Sequence, residues 1–145
     1  MKIINFLICE DIRHEDGGKK SFMGVYDETI EFLVNPESKN TWPKVGKIGV
    51  VAKIIFDDSD IVQNISSFKV NYSCDGDVTK IGESPLNKDD IAKKQKISMA
   101  LMVPNFAFTK MGEMKFIFEF YNDKGAMVGQ TSPHFSTTVK ERVIE

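Results

Sequence analysis

"EMKFIFEFYNDKG", residues 113–125, decides the fold class of this chain. Met114, Phe116, Phe118 and Phe120 recur at every second position, and Asn122-Asp123-Lys124-Gly125 closes the run. A period of two places the four large apolar side chains on one face of a strand, where a helical period would scatter them around an axis. The closing residues are turn formers, so the stretch reads as the first arm of a hairpin whose second arm runs from Ala126 to Gln130.

The same period continues outward in both directions. In residues 47–58, "KIGVVAKIIFDD", Ile48, Val50, Ala52, Ile54 and Phe56 share one face, with Val51, Lys53 and Ile55 on the other. Phe68, Val70 and Tyr72 alternate with Ser67, Lys69 and Asn71, while Ile97, Met99, Leu101 and Val103 align ahead of Pro104. A last strand is predicted from Phe135 to Val139. Turn chemistry separates the strands at Gly17-Gly18, Asn35-Pro36, Asp57 to Asp60, Asp75-Gly76-Asp77 and Ser84-Pro85. One stretch alone reads as helix: in "NKDDIAKKQK", Asn87 is placed to cap, Asp89 and Asp90 fall in the first turn, and lysines end the segment, which suits the helix dipole. Many short strands with one short helical crossover imply an all-β antiparallel sandwich, immunoglobulin-like or similar, built as a single domain over residues 1–145.

Bulk properties narrow the function classes. The chain has 145 residues, 41% of them hydrophobic, enough to bury a substantial core, and its net charge of −2 offers no general attraction to nucleic acid or anionic membranes. The apolar run Ile3 to Ile8 is shorter than a signal-peptide core and leads directly into charged residues, so it reads as a first strand of a soluble, cytoplasmic protein. Cys9 and Cys74 lack the spacing of a metal knuckle or redox motif and read as buried free thiols. His14 and His134 stand alone, and no nucleophile elbow or phosphate-binding glycine loop is present, so no catalytic residue, metal set or cofactor is expected. The acidic groups at Asp57, Asp58 and Asp60 and at Asp75 and Asp77 fall at opposite ends of one predicted strand and read as solvated turns, not as a shared calcium site.

The first hairpin carries the densest charge. A two-residue loop at Gly17-Gly18 predicts Asp16 opposite Lys19, Glu15 opposite Lys20, Arg13 opposite Phe22, Ile12 opposite Met23 and Asp11 opposite Gly24. Glu10 then shares a strand face with Ile8 and Ile12, and a carboxylate on an apolar face needs a partner. Arg13 and Arg142 are the only arginines. Glu10, Asp11 and Arg13 are therefore either an ion-paired sandwich edge or a polar site at the mouth of the fold. Trp42, in "NTWPK", is the other binding candidate, as a lid on the core or an interface anchor.

The pattern Cys9-Glu10-Asp11, Arg13, Glu15, Gly18-Lys19 and Gly24-Val25-Tyr26 resembles the opening of a family of small uncharacterised proteins from bacteria and their phages. That resemblance implies a β-sandwich and no established activity. The leading functional expectation is a non-catalytic protein-binding or structural module, bacterial or phage-derived, engaging a protein partner or a second copy of itself; Val51, Ile55, Ile117 and Tyr121 supply a semi-apolar outer surface for it. The alternative is a small-ligand or metal-binding protein using Glu10, Asp11 and Arg13.

Overall fold

Alternating apolar residues do what their period requires: they line the space between two sheets. The computed structural model describes all residues, 1–145, as β1 (Lys2–His14), β2 (Lys20–Tyr26), β3 (Thr29–Val34), β4 (Lys44–Ile55), α1 (Asp58–Ile61), β5 (Ile65–Cys74), β6 (Asp77–Pro85), α2 (Lys88–Lys94), β7 (Lys96–Phe108), β8 (Gly112–Asn122), β9 (Met127–Thr131) and β10 (Thr137–Val143). One sheet has the order β2-β1-β4-β7, and the other the order β3-β10-β8-β5-β6, with β9 also paired to β8. β9 meets β8 at Phe118–Tyr121 and β10 meets it at Gly112–Met114, so the two share one edge end to end. The result is the all-β sandwich expected from the sequence. Its one parallel pair is β3 with β10. No helix is long and apolar enough to cross a membrane.

The two central strands supply the core. Ile48, Val50, Ala52 and Ile54 of β4 are at most 2% exposed, and Met114, Phe116, Phe118 and Phe120 of β8 at most 1%. They belong to one buried cluster of 19 residues. Ring edges meet ring faces within it and at its border: Phe56 lies 5.2 Å from Phe120 at 88°, and the partly buried Phe32 lies 5.0 Å from Phe108 at 71°. Each fully buried phenylalanine contributes about 1.5–3 kcal/mol through burial, and such edge-to-face pairs add to it.

Caps and turns follow the local chemistry. Asn87 accepts from the backbone N–H groups of Asp89 and Asp90 and starts α2, and Gln95 ends it in a left-handed conformation. The acidic stretch at residues 57–60 is not an open turn. Asp57 and Asp60 form a reciprocal capping box that winds α1. One end of the sandwich is closed by Trp42, which packs edge-on against Phe32 at 6.0 Å, with the Lys44 ammonium 4.9 Å over its ring. Lys44 in turn reaches Glu141 at 2.9 Å, where both side chains are almost wholly buried. The Asn40 backbone N–H donates to the second Glu141 oxygen, and together with Lys44 it holds that carboxyl below its usual range.

The first hairpin departs from its predicted register by one residue. Asp11 lies opposite Met23, Ile12 opposite Phe22, Arg13 opposite Ser21 and His14 opposite Lys20. The loop takes three residues, Asp16–Gly18, in a 3-10 turn with Gly17 and Gly18 both at positive φ, closed by a bond from the Glu15 N–H to the Lys19 carbonyl. Three-residue loops are the next most favoured after two, and the extra residue moves every pair by one. Farther in, Gly24 sits at φ 62° and bends the strand. Beyond that bend Ile12 reaches Gly49, and Phe22 lines a recess with Val51 and Lys53 on the outer face of the sheet. Cys9 pairs directly with Gly49 and is fully buried there.

A Cβ at position 49 would lie 2.8 Å from the Cys9 sulfur and 3.0 Å from the Ile12 side chain. Gly49→Ala is therefore expected to destabilise the fold by about 1–3 kcal/mol through overpacking. Adding Cys9→Ala to that variant should recover part of the loss, a non-additivity that urea unfolding of the two single variants and the double variant measures directly.

Candidate functional site

The residues flanking the bend in the first hairpin form a cleft. At Glu10 the strand passes Gly24, whose missing side chain leaves room for the Glu10 carboxylate: a Cβ there would stand 2.7 Å from the nearer Glu10 oxygen. Glycine is required twice over, by this approach and by the positive φ. The cleft that opens beside it has a volume of about 410 Å3 and is lined by Glu10, Asp11, Tyr26, Phe32, Gly46, Lys47 and Phe108. β1 supplies the carboxylates, β2 the phenol, β3 and β7 the phenyl rings, and β4 the lysine. A β-bulge between Gly46 and Ile48 aims Lys47 at the cleft.

The electrostatics separate the two carboxylates. Lys47 lies 2.7 Å from one Asp11 oxygen, and the Arg13 guanidinium lies 3.5 Å from the other. The hydrogen bond from Lys47 is the main reason that the Asp11 carboxyl titrates below its usual range. Because both cations turn to Asp11, Glu10 is left without one. Glu10 lies beside Tyr26, whose phenol is pushed up first by burial and then by the neighbouring Glu10 charge. Tyr26 is thus a neutral hydroxyl at any ordinary pH.

The sequence candidates are distributed as follows. Glu10 and Asp11 share the cleft, and Arg13 stands at its rim with 60% of its side chain exposed. Arg142 pairs with Glu31 at 3.0 Å and is not part of the site. Trp42 does not line the cleft but braces Phe32, which does. Lys47, Tyr26, Phe32 and Phe108 were not legible as site residues. Their strands are distant in sequence, and the one available signal was the interruption of β4's alternation at Gly46. Val51, Ile117 and Tyr121 are half buried on the outer faces, and the Tyr121 ring is covered by the Lys69 ammonium at 4.5 Å. A larger hollow, of about 500 Å3, lies beside α2, where Phe68, Ile91 and Met99 line it with Asp90, Lys94 and Lys96.

No family model matches the chain, and no curated protein does. Among solved structures, the chain is similar to one described as superoxide reductase (neelaredoxin) from Ignicoccus hospitalis, with a TM-score of 0.37 and 8% identity over 92% of this chain and 82% of that one. A likeness of that size carries nothing about the activity of this chain. The expectation of a non-catalytic protein-binding or structural module is corrected here, the solved structure that the chain is similar to being named as an enzyme. That expectation is withdrawn. No three His, Cys, Asp or Glu side chains come together in a way that could hold a metal ion.

The Lys47–Asp11 contact has a titration consequence. Asp11 has a lower pKa folded than unfolded, so the stability it brings is present at neutral pH and is lost as the pH falls through the lowered value. Lys47→Ala should return the Asp11 carboxyl toward its ordinary range and flatten that part of the acid dependence. Following the Asp11 side-chain carbon shift against pH checks this; an unchanged titration would show that Lys47 does not hold the carboxylate.

Proposed function

We propose that the protein binds a small organic cation, an amine or a guanidinium, in the cleft between Glu10 and the Tyr26, Phe32 and Phe108 rings. The observation that carries this reading is that Glu10, exposed at the cleft, is its one carboxylate without a cation of its own, and shares the lining with Tyr26, Phe32 and Phe108. Carboxylate plus aromatic wall is the pairing that favours an organic cation, because the ring faces are negative and the carboxylate offers acceptors to its N–H groups. A volume of about 410 Å3 fits a ligand of a few heavy atoms to drug size.

Each wall residue has a task in this reading. Glu10 accepts hydrogen bonds from the cationic head. Tyr26 stays protonated and donates to the Glu10 carboxylate, orienting it toward the ligand. Phe32, held by Trp42, and Phe108 cover the apolar part of the ligand and exclude water. Lys47 offsets Asp11 inside the cleft, which leaves Glu10 as the carboxylate there without a cation, while Arg13 stays outside the lining with its side chain 60% exposed.

Trp42 is the only tryptophan and touches the Phe32 wall, so its fluorescence reports on occupancy. Titration with agmatine and with choline should give a saturable change for at least one of them, and Glu10→Gln should weaken that binding about tenfold, or 1.4 kcal/mol. Binding that is indifferent to Glu10→Gln would overturn the assignment. So would the absence of saturation with either cation up to about 10 mM, a concentration at which even a weak site of millimolar Kd fills.

A further inference from the structure

A second recess lies on the outer face of the other sheet, and its chemistry is different. Pairing fixes its floor: Thr138 of β10 lies opposite Glu113 of β8 on one side and opposite Thr29 of β3 on the other. Neighbouring strands stand about 4.8 Å apart, so these three side chains form a row across about 10 Å on the face turned away from the core. Their neighbours Met114, Thr137, Val139 and Ile30 are the buried ones. Thr138 is fixed in place by its backbone N–H, which donates to the Glu28 carbonyl at 2.9 Å. Lys115 follows Glu113 on the same face of β8. The segment Pro133–Ser136 borders the row and brings His134 and Phe135 to an open recess of about 430 Å3.

We propose that this recess is a saccharide-binding site. Phe135 is the single hydrophobic side chain among its nine lining residues, and its ring remains 49% exposed while braced against Phe6 at 5.9 Å. A rigid, half-exposed ring beside a polar floor offers a stacking platform for the C–H face of a sugar ring. The rest of the lining consists of groups that bond hydroxyls: Thr29, Ser136 and Thr138 donate and accept, Glu28 and Glu113 accept, and Lys115 donates. Lys115 offsets one of the two carboxylates, and most of the lining consists of groups that exchange hydrogen bonds with hydroxyls. A neutral ligand rich in both donors and acceptors is what this set satisfies. The volume suits a mono- or disaccharide. None of these residues belongs to the Glu10 cleft, so the inference stands apart from the cation reading.

Cellobiose, maltose and lactose titrated into the 15N-labelled protein test it. At least one should shift amide signals confined to residues 28–29, 113–115 and 134–138, with a Kd near about 1 mM, the strength of a shallow hydroxyl-bonded site. Phe135→Ala should weaken binding about tenfold, and Thr138→Val, a substitution that keeps a β-branched side chain and removes only the hydroxyl, should weaken it severalfold with the native spectrum retained. If Phe135→Ala disturbs the fold through Phe6, Thr138→Val alone decides. Shifts from none of the three sugars, shifts that both variants leave unchanged, or stronger shifts from glycine or lysine than from any sugar would each overturn the proposal.

Discussion

The molecule hangs on the meeting of two apolar stripes, Ile48-Val50-Ala52-Ile54 on β4 and Met114-Phe116-Phe118-Phe120 on β8. Each is the buried face of a strand with hydrogen-bonded neighbours on both sides, so neither can slide without exposing its whole set to water. β4 carries β1 and β7 with it, and β8 carries β5, β9 and β10. The positions of Glu10, of Lys47 and of the Thr138 row are consequences of that fixed register.

Away from the stripes, the chain uses local irregularities to turn polar groups toward useful places. At Gly24 a left-handed residue bends the first hairpin and makes room for a carboxylate. At Gly46 a bulge turns Lys47 toward the same cleft. Asp11 absorbs both nearby cations, and this division of labour between adjacent carboxylates gives Glu10 its character. The Trp42–Lys44–Glu141 contact acts from behind, since it stiffens the Phe32 wall with an ion pair almost closed off from water. A pair so buried adds little net stability after desolvation, but it specifies one geometry where an apolar contact would allow several.

Strands whose two faces see different solvents were legible from sequence in β8, in β4 from Ile48 on and in parts of β5 and β7, although β7 does not stop at Pro104 but continues to Phe108; α2 carries its cap at Asn87. β6, "DVTKIGESP", was not legible as a strand, because it is an edge held by backbone pairing to β5 and mostly exposed, so burial leaves no pattern in its residues. The hairpin register was missed because Gly17-Gly18 suits both two- and three-residue loops, and nothing in the flanking charges distinguishes the two pairings. The winding of α1 was missed because Asp57-Asp58-Ser59-Asp60 serves a solvated turn and a capping box alike. For the site, Glu10 and Asp11 were visible as charges out of place on a strand. The aromatic wall was not, since Tyr26, Phe32 and Phe108 look like any core residues until the topology puts them beside a carboxylate.

The topology also bears on how the chain reaches this state. β3 pairs with no strand other than β10, and β10 sits between β3 and β8, with about a hundred residues separating residues 29–34 from 137–143. The second sheet is therefore completed by insertion of a segment that must wait for nearly the whole chain, and a loop of that size must be closed before its contacts return any energy. Such non-local pairing puts the protein among slow folders, with the edges of β3 and β8 open meanwhile. Aggregation, not unfolding of the finished sandwich, is then the main hazard during its synthesis.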